Sequence, residues 1–190
     1  MILVTGGCRS GKSEFAEQLV TSMGSHFLYL ATAKITDAEM ARRVEKHRQR
    51  RSSQWDTHEG HGDIAEVLGQ TGPGLCAWDG ILLDSVTTMV TNLLFDHIGP
   101  VDWDTFSFDS VDYGAAQAMI LAHFEKICAA AAELPLVFVT DEIGLGVVPE
   151  TSLGRNFRDI LGIVNQYLAK ACTEVYFVVC GIPMKIKGEM

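Results

Sequence analysis

Two stretches of this chain carry residue types at spacings that do chemistry. The first is "GGCRSGKS", in which Gly6, Gly7, Cys8, Arg9, Ser10, Gly11, Lys12 and Ser13 fit G-x-x-x-x-G-K-[ST]. Glycines in such a turn let successive backbone N–H groups face inward around phosphate oxygens, and a helix opening near Lys12 turns its positive end toward the same anion. Lys12 then reaches the β and γ phosphates of a nucleoside triphosphate as a point charge, and the Ser13 hydroxyl becomes a ligand for Mg²⁺. The rival is a glycine-rich turn that binds nothing; an apolar strand before the motif and a helical pattern after it favour the phosphate cradle. A cradle of this kind needs an acid at the end of a neighbouring strand to manage the metal. "ILLD", ending at Asp84, has that form, and "VTDE" ends another apolar run with Asp141 and Glu142. Asp84 also reads as a cap for the helix that begins "SVTTMVTNLL".

The second stretch is "ARRVEKHRQRR", residues 41–51, which sets one histidine among six Arg and Lys side chains in a chain of net charge -9. Thr36 and Glu39 form a capping box that starts a helix and sets its phase. Met40, Val44 and His47 then share one face at i, i+4 and i+7, so His47 sides with the apolar stripe. Arg43 and Arg50 flank that face, while Arg42, Lys46 and Arg51 lie nearer solvent. Three readings stand on the residues alone. A solvated basic face whose histidine closes the core is the plain one. A metal ligand is opposed by the surrounding cations and by the lack of a second ligand nearby in sequence. The third is a nucleophile: an imidazole with an ordinary pKa of about 6.5, held neutral by adjacent cations, has a lone pair for attack on phosphorus, with Arg side chains holding the phosphates.

Short apolar, β-rich runs alternate with longer segments of helical period, which predicts an α/β fold with a mostly parallel sheet flanked by helices. Strands are expected near Ile2 to Thr5, Phe27 to Ala31, Ile81 to Asp84, Leu136 to Thr140 and Val175 to Cys180. Helices are expected at about Lys12 to Met23, Asp37 to Arg50, Ser85 to Phe95, Tyr113 to Ala132 and Phe157 to Ala171. Between Gly60 and Gly74 a short helix, Ile64 to Leu68, precedes a turn. From Gly99 to Asp112 turn formers and acids without periodicity predict an exposed loop. Its Trp103, Phe106 and Phe108 either pin that loop to its own domain or meet a neighbouring subunit.

With 190 residues and 47% hydrophobic content, the chain suits a single P-loop nucleotide-binding domain over residues 1–190. The charges are unevenly spread. Six basic residues lie between Arg42 and Arg51, whereas Ser52 to Glu125 holds twelve acids and no Lys or Arg. A net charge of -9 argues against nucleic acid as partner, because phosphate-backbone affinity needs a broad basic footprint. "MILVTGG" has no basic region before its short apolar run and so does not read as a signal peptide. No apolar run approaches the ~20 residues of a membrane span. Cys8, Cys76, Cys128, Cys172 and Cys180 are odd in number and form no CxxC pair, which fits reduced thiols and a cytoplasmic location.

Five long stretches carry a resemblance over almost the whole chain: "ILVTGGCRSGKSEFAE", "YLATAKITDAEMARRVEKHRQRR", "ILLDSVTTMVTNLLF", "VTDEIGLGVVPE" and "RNFRDILGIVNQYLAKACTEVYFVVCGIPMKIK". In order and spacing they resemble the bifunctional adenosylcobinamide kinase/adenosylcobinamide-phosphate guanylyltransferase family of cobalamin biosynthesis. That resemblance implies a RecA-like P-loop fold assembled as a homotrimer. It implies phosphorylation of the aminopropanol hydroxyl of adenosylcobinamide by ATP or GTP. It also implies transfer of GMP from GTP to adenosylcobinamide phosphate through a GMP-histidine intermediate, giving adenosylcobinamide-GDP and pyrophosphate.

By the same resemblance His47 is the guanylyl acceptor, Gly6 to Ser13 bind phosphates, and Ala31, Thr32 and Ala33 contact the nucleotide. Arg48, Gln49, Arg50 and Arg51 join them, Glu59 and Asp84 complete the site, and Ser13 and Asp84 hold Mg²⁺. Asp84 stands where the family more often has Glu, and Lys46 where a second His occurs. The aromatic or Met residues of Met89 to Phe95 and the "GLGVVPE" loop are expected to line the corrinoid pocket, although the same residues also read as core or turn. The alternative from another class is a P-loop regulatory module that binds nucleotide without transfer chemistry. A switch GTPase lacks its N-K-x-D, a nucleoside-monophosphate kinase lacks Arg-rich lid segments, and a DNA motor conflicts with the charge.

Overall fold

The computed structural model describes residues 1–34, 53–70 and 78–189. The helix expected at Asp37 to Arg50 lies outside the described residues, as does Cys76. In chain order the elements are β1 (Ile2–Gly6), α1 (Lys12–Thr21), β2 (Phe27–Ala31), β3 (Trp55–Glu59), α2 (Ile64–Gly69), β4 (Gly80–Asp84) and α3 (Val86–Ile98). A short 3₁₀ turn at Phe108–Ser110 precedes α4 (Tyr113–Ala130), followed by β5 (Leu136–Asp141), α5 (Ser152–Ala171), β6 (Glu174–Val179) and β7 (Ile182–Lys187).

The strands form one seven-stranded sheet in the order β3-β2-β4-β5-β1-β6-β7. All neighbours are parallel except the β6–β7 hairpin, which is antiparallel. Parallel strands need helical crossovers, and helices on both faces explain why Ile81 to Leu83 and Leu136 to Thr140 are buried without alternation. One face packs against α1, where Val4, Ala16, Val20, Phe27, Leu82 and Val139 close a core. The other face packs against α2 to α5, with Leu83, Leu94, Phe124, Phe138, Leu161 and Val164 among the buried side chains. Each such side chain contributes about 1.5–3 kcal/mol of burial free energy against an exposed reference.

Local signals set the helix ends. Asp112 caps α4 by accepting from the Ala115 N–H, and Thr151 caps α5 by accepting from the Gly154 N–H. Helix α5 therefore begins at Ser152, one turn before the expected Phe157. Ser85, not Asp84, caps α3, accepting from the Thr88 N–H at 3.2 Å, so the capping reading of Asp84 is corrected. All five expected strands are present, and two more flank them. Strand β3, "WDTHE", is polar because it lies at the sheet edge, where only one side needs a partner. Strand β7 contains Pro183, which sequence rules admit on edge strands, and its Ile182, Met184 and Ile186 alternate with polar or small neighbours.

The 99–112 segment is irregular, as expected, apart from the 3₁₀ turn. Its aromatic rings stack on one another and on the domain: Phe95 to Trp103 at 6.0 Å, Trp103 to Phe108 at 5.7 Å and Phe106 to Phe108 at 5.0 Å between centroids. The Tyr113 hydroxyl donates to the Phe108 carbonyl, which ties the segment to α4. These contacts hold Phe106 and Phe108 against their own domain, while Trp103 stays 67% exposed.

Candidate active site

Parallel strands all end on the same side, so their C-terminal edge is where loops converge and ligands bind. Register places the candidate residues along that edge. Gly6, ending β1, is paired with Asp141, ending β5. Ala31, ending β2, is paired with Glu59 on one side and with Asp84 on the other. The phosphate-binding turn and the acids of β3, β4 and β5 thus share one rim.

The turn itself has the backbone geometry its sequence demands. Arg9 and Gly11 adopt positive φ, at 58° and 92°, and the Ser10 N–H closes the turn on the Gly7 carbonyl at 3.2 Å. Residues in this left-handed region orient neighbouring N–H groups into a concavity for anions. Gly11 is required twice over, since a Cβ there would also lie 3.1 Å from the Gly181 Cα. Gly181 belongs to the β6–β7 turn, and its N–H donates to the Ser10 carbonyl at 2.8 Å. A Cβ on Gly6 would meet the Val178 carbonyl oxygen at 2.5 Å, so β1 can enter the turn beside β6 only as glycine.

Lys12 opens α1 and is 9% exposed, which for an ammonium group demands a partner. It has one: Lys12 Nζ lies 2.5 Å from Asp141 Oδ1 and donates to the Gly7 carbonyl at 3.2 Å. Sequence reasoning named Asp141 only as an alternative to Asp84. The structure gives them separate neighbours, because Asp84 Oδ2 accepts from the Tyr29 hydroxyl at 3.2 Å while Asp141 faces Lys12. The Asp141 backbone is held on both sides, its N–H donating to Thr87 Oγ1 and its carbonyl accepting from Asn165 Nδ2. Asn165 Oδ1 in turn accepts from the buried Thr140 hydroxyl at 2.7 Å. Thr87 and Asn165 escaped the sequence reading, since a helix-interior Thr or Asn gives no periodic signal.

The stretch after β2 is equally well tied. The Thr32 hydroxyl, 1% exposed, donates to the Ser85 carbonyl and accepts from the Ser85 N–H, and Asn92 Nδ2 donates to the Thr32 carbonyl. Lys34 Nζ reaches Asp96 Oδ1 at 2.6 Å, and His61 Nε2 reaches Asp96 Oδ2 at 2.6 Å. His47, Arg48, Gln49, Arg50 and Arg51 lie outside the described residues. Ser13, which follows Lys12 in α1, and Asp84 and Asp141, which end β4 and β5, give this rim a hydroxyl and two carboxylates. An all-oxygen set of this kind suits a hard cation.

The cysteines divide by environment. Cys8, in the cradle, and Cys180, in the β6–β7 turn, are exposed. Cys128 and Cys172 are buried, and burial pushes their thiols up to about 11 and about 12. Iodoacetamide near pH 7.5 is therefore expected to alkylate Cys8 and Cys180 in the native chain and to spare Cys128 and Cys172 until it unfolds. Saturating GTP should slow the Cys8 reaction severalfold. Peptide mass spectrometry of the labelled protein checks both.

The profile of the CobU family, described as cobinamide kinase / cobinamide phosphate guanyltransferase, matches residues 2–186. The chain belongs to the CobU family. A CobU relative from Escherichia coli K12, the bifunctional adenosylcobalamin biosynthesis protein CobU, is 48% identical over 190 residues, covering 98% of this chain and 99% of the relative. The protein of the same name from Salmonella typhimurium LT2 is 44% identical over 189 residues, covering 98% and 99%. The bifunctional adenosylcobalamin biosynthesis protein CobP of Pseudomonas aeruginosa is 36% identical over 191 residues, covering 98% and 97%. Among solved structures, the RadB recombinase aligns with 93% of this chain and 73% of its own at 14% identity and a TM-score of 0.42. CobU family chains are transferases, and the family description joins a kinase with a guanyltransferase. No helix of the described residues is long and apolar enough to cross a membrane.

Proposed function

We propose that this chain phosphorylates adenosylcobinamide with ATP or GTP, then transfers GMP from GTP to the resulting phosphate, giving adenosylcobinamide-GDP and pyrophosphate. The observation that supports it most is the rim itself: a G-x-x-x-x-G-K-S turn whose lysine is paired with the acid that ends β5, in a chain matched by the family over residues 2–186.

In the kinase step the aminopropanol hydroxyl attacks the γ-phosphorus, and the bond to the β–γ bridging oxygen breaks. The turn's N–H groups and Lys12 take up the charge on the phosphate oxygens. In the second reaction His47 attacks the α-phosphorus of GTP and pyrophosphate leaves, so that GMP is held on the imidazole. The phosphate of the corrinoid substrate then displaces the histidine. Holding GMP on the protein divides one crowded displacement between two bulky anions into two simpler ones. Arg48, Gln49, Arg50 and Arg51, with Ala31, Thr32, Ala33 and Glu59, are assigned to the nucleotide. Ser13 and Asp84 would hold Mg²⁺, which when bound neutralises phosphate charge.

A homotrimer in the cytoplasm completes the reading, and subunit contact would account for the exposed Ile182, Met184 and Ile186 on edge strand β7. The corrinoid is assigned to the rim near the 142–150 loop, where Leu145 and Val147 are exposed. Within Met89 to Phe95, by contrast, Met89 is buried in the core, which removes it from the expected lining, while Phe95 is half-buried.

Incubation with α-labelled GTP is expected to leave acid-labile label on the protein. Adding adenosylcobinamide phosphate should chase that label into adenosylcobinamide-GDP, identified by mass spectrometry. Nucleotide binding with neither label nor product would favour the regulatory module instead.

A further inference from the structure

We infer that Asp141 is the resting partner of Lys12, a positioning residue from which the nucleotide's phosphates must take the ammonium group. The inference rests on the nucleotide-binding part of the reading above and needs nothing from its corrinoid chemistry.

The geometry is specific. Among the described residues Lys12 Nζ has two oxygen partners, Asp141 Oδ1 at 2.5 Å and the Gly7 carbonyl at 3.2 Å. Side-chain exposure is 11% for Lys12 and 24% for Asp141, so the pair is partly withdrawn from water and its attraction is poorly screened. The backbone of Asp141 is fixed at the end of its strand. Its N–H is satisfied by Thr87 on α3 and its carbonyl by Asn165 on α5, and Asn165 is oriented by Thr140. The next residue, Glu142, donates its N–H to the Gly6 carbonyl, which locks the end of β5 to the start of the phosphate turn.

A triphosphate entering the turn meets an ammonium group already neutralised by a carboxylate. Binding therefore exchanges one anion for another on the same cation, and Asp141 adds like-charge repulsion to the incoming phosphates. This arrangement weakens ground-state binding while holding the lysine at the place where it is needed. Removing only the negative charge of Asp141 leaves Lys12 partly buried and unpaired, which raises the free energy of the empty state. A phosphate then relieves that state, so affinity increases. Catalysis does not gain with it, because the lysine has lost the anchor that sets its position.

The test measures GTP binding to the full chain by calorimetry, together with turnover and thermal unfolding, for the native sequence and for Asp141→Asn. Asp141→Asn is expected to tighten GTP binding by roughly tenfold, a coupling of ordinary size for a close charged pair, while turnover falls. Its unfolding temperature without nucleotide should drop, and the rise produced by GTP should exceed that of the native chain. A merely structural role would weaken binding and turnover together. In a Lys12→Ala background the affinity gain from Asp141→Asn should shrink toward the small part due to repulsion alone. Asp141→Glu, which keeps the charge, should stay closer to the native affinity. Weaker or unchanged GTP binding in Asp141→Asn overturns the proposal, as does a tenfold gain that persists undiminished without Lys12. Failure of the native chain to bind GTP would instead overturn the nucleotide-binding reading, and failure to convert the corrinoid would leave these binding outcomes readable.

Discussion

Replacing His47 with alanine is expected to lower guanylyl transfer by about a thousandfold or more while kinase turnover stays within roughly one order of magnitude of native, the pattern for loss of a covalent nucleophile that one of two reactions uses. On the proposed covalent route the guanylyl reaction uses an atom that attacks the α-phosphorus, leaves again, and is neutral enough at cell pH to have a lone pair. The kinase reaction supplies its own nucleophile in the substrate hydroxyl, so it can proceed without the imidazole. Intact-mass measurement after exposure to GTP should show a GMP adduct on the native chain and none on His47→Ala, with phosphorylated corrinoid still formed by both. An adduct that persists in His47→Ala would move the acceptor to another residue. Equal loss of both reactions would make His47 part of the nucleotide site at large.

Lys12→Ala is expected to depress both transfers by about 10²–10³-fold, the usual cost of deleting one preorganised charge at a reacting phosphate. On the proposed function both reactions begin from a triphosphate in the same turn, so neither route avoids Lys12. Loss of fold is not the cause expected. Asp141, the partner left behind, keeps 24% side-chain exposure and can take up water, and its backbone bonds to Thr87 and Asn165 do not involve the lysine. Circular dichroism of Lys12→Ala should match the native chain, and its unfolding temperature should lie within a few degrees of it. Unimpaired guanylyl transfer in Lys12→Ala would sink the shared-cradle reading.

Much of this fold was legible before any coordinate. The five inner strands stand out because helices cover both faces, so "LVFVT" and "ILL" read as uninterrupted apolar runs. The strands that escaped notice are both at edges. "WDTHE" has no apolar face to announce it, and its place follows from pairing with β2, a tertiary fact. "IPMKIK" did carry a period-two signal in Ile182, Met184 and Ile186, which the proline obscured. In the site, the turn from Gly6 to Ser13 was readable because positive φ and close approach select glycine at known spacings. The division between Asp84 and Asp141 was not. Both end apolar strands with an acid, and only the strand order, with β5 lying directly beside β1, decides which of them meets Lys12. The basic run around His47 is legible as charge and periodicity, and it lies outside the described residues.

The strand order also dictates when this protein becomes competent during its own synthesis. Strand β1, which carries the G-x-x-x-x-G-K-S turn, leaves the ribosome well before β5 and β6, yet those are its two neighbours in the sheet: Ile2 is registered with Val137 on one side and Glu174 on the other. The turn is finally braced by the Gly181 N–H, which arrives later still. Until β5 and β6 are made, a nascent chain carries its motif on an unpaired apolar strand, and nucleotide capture has to wait for translation to deliver the residues that close the sheet around it.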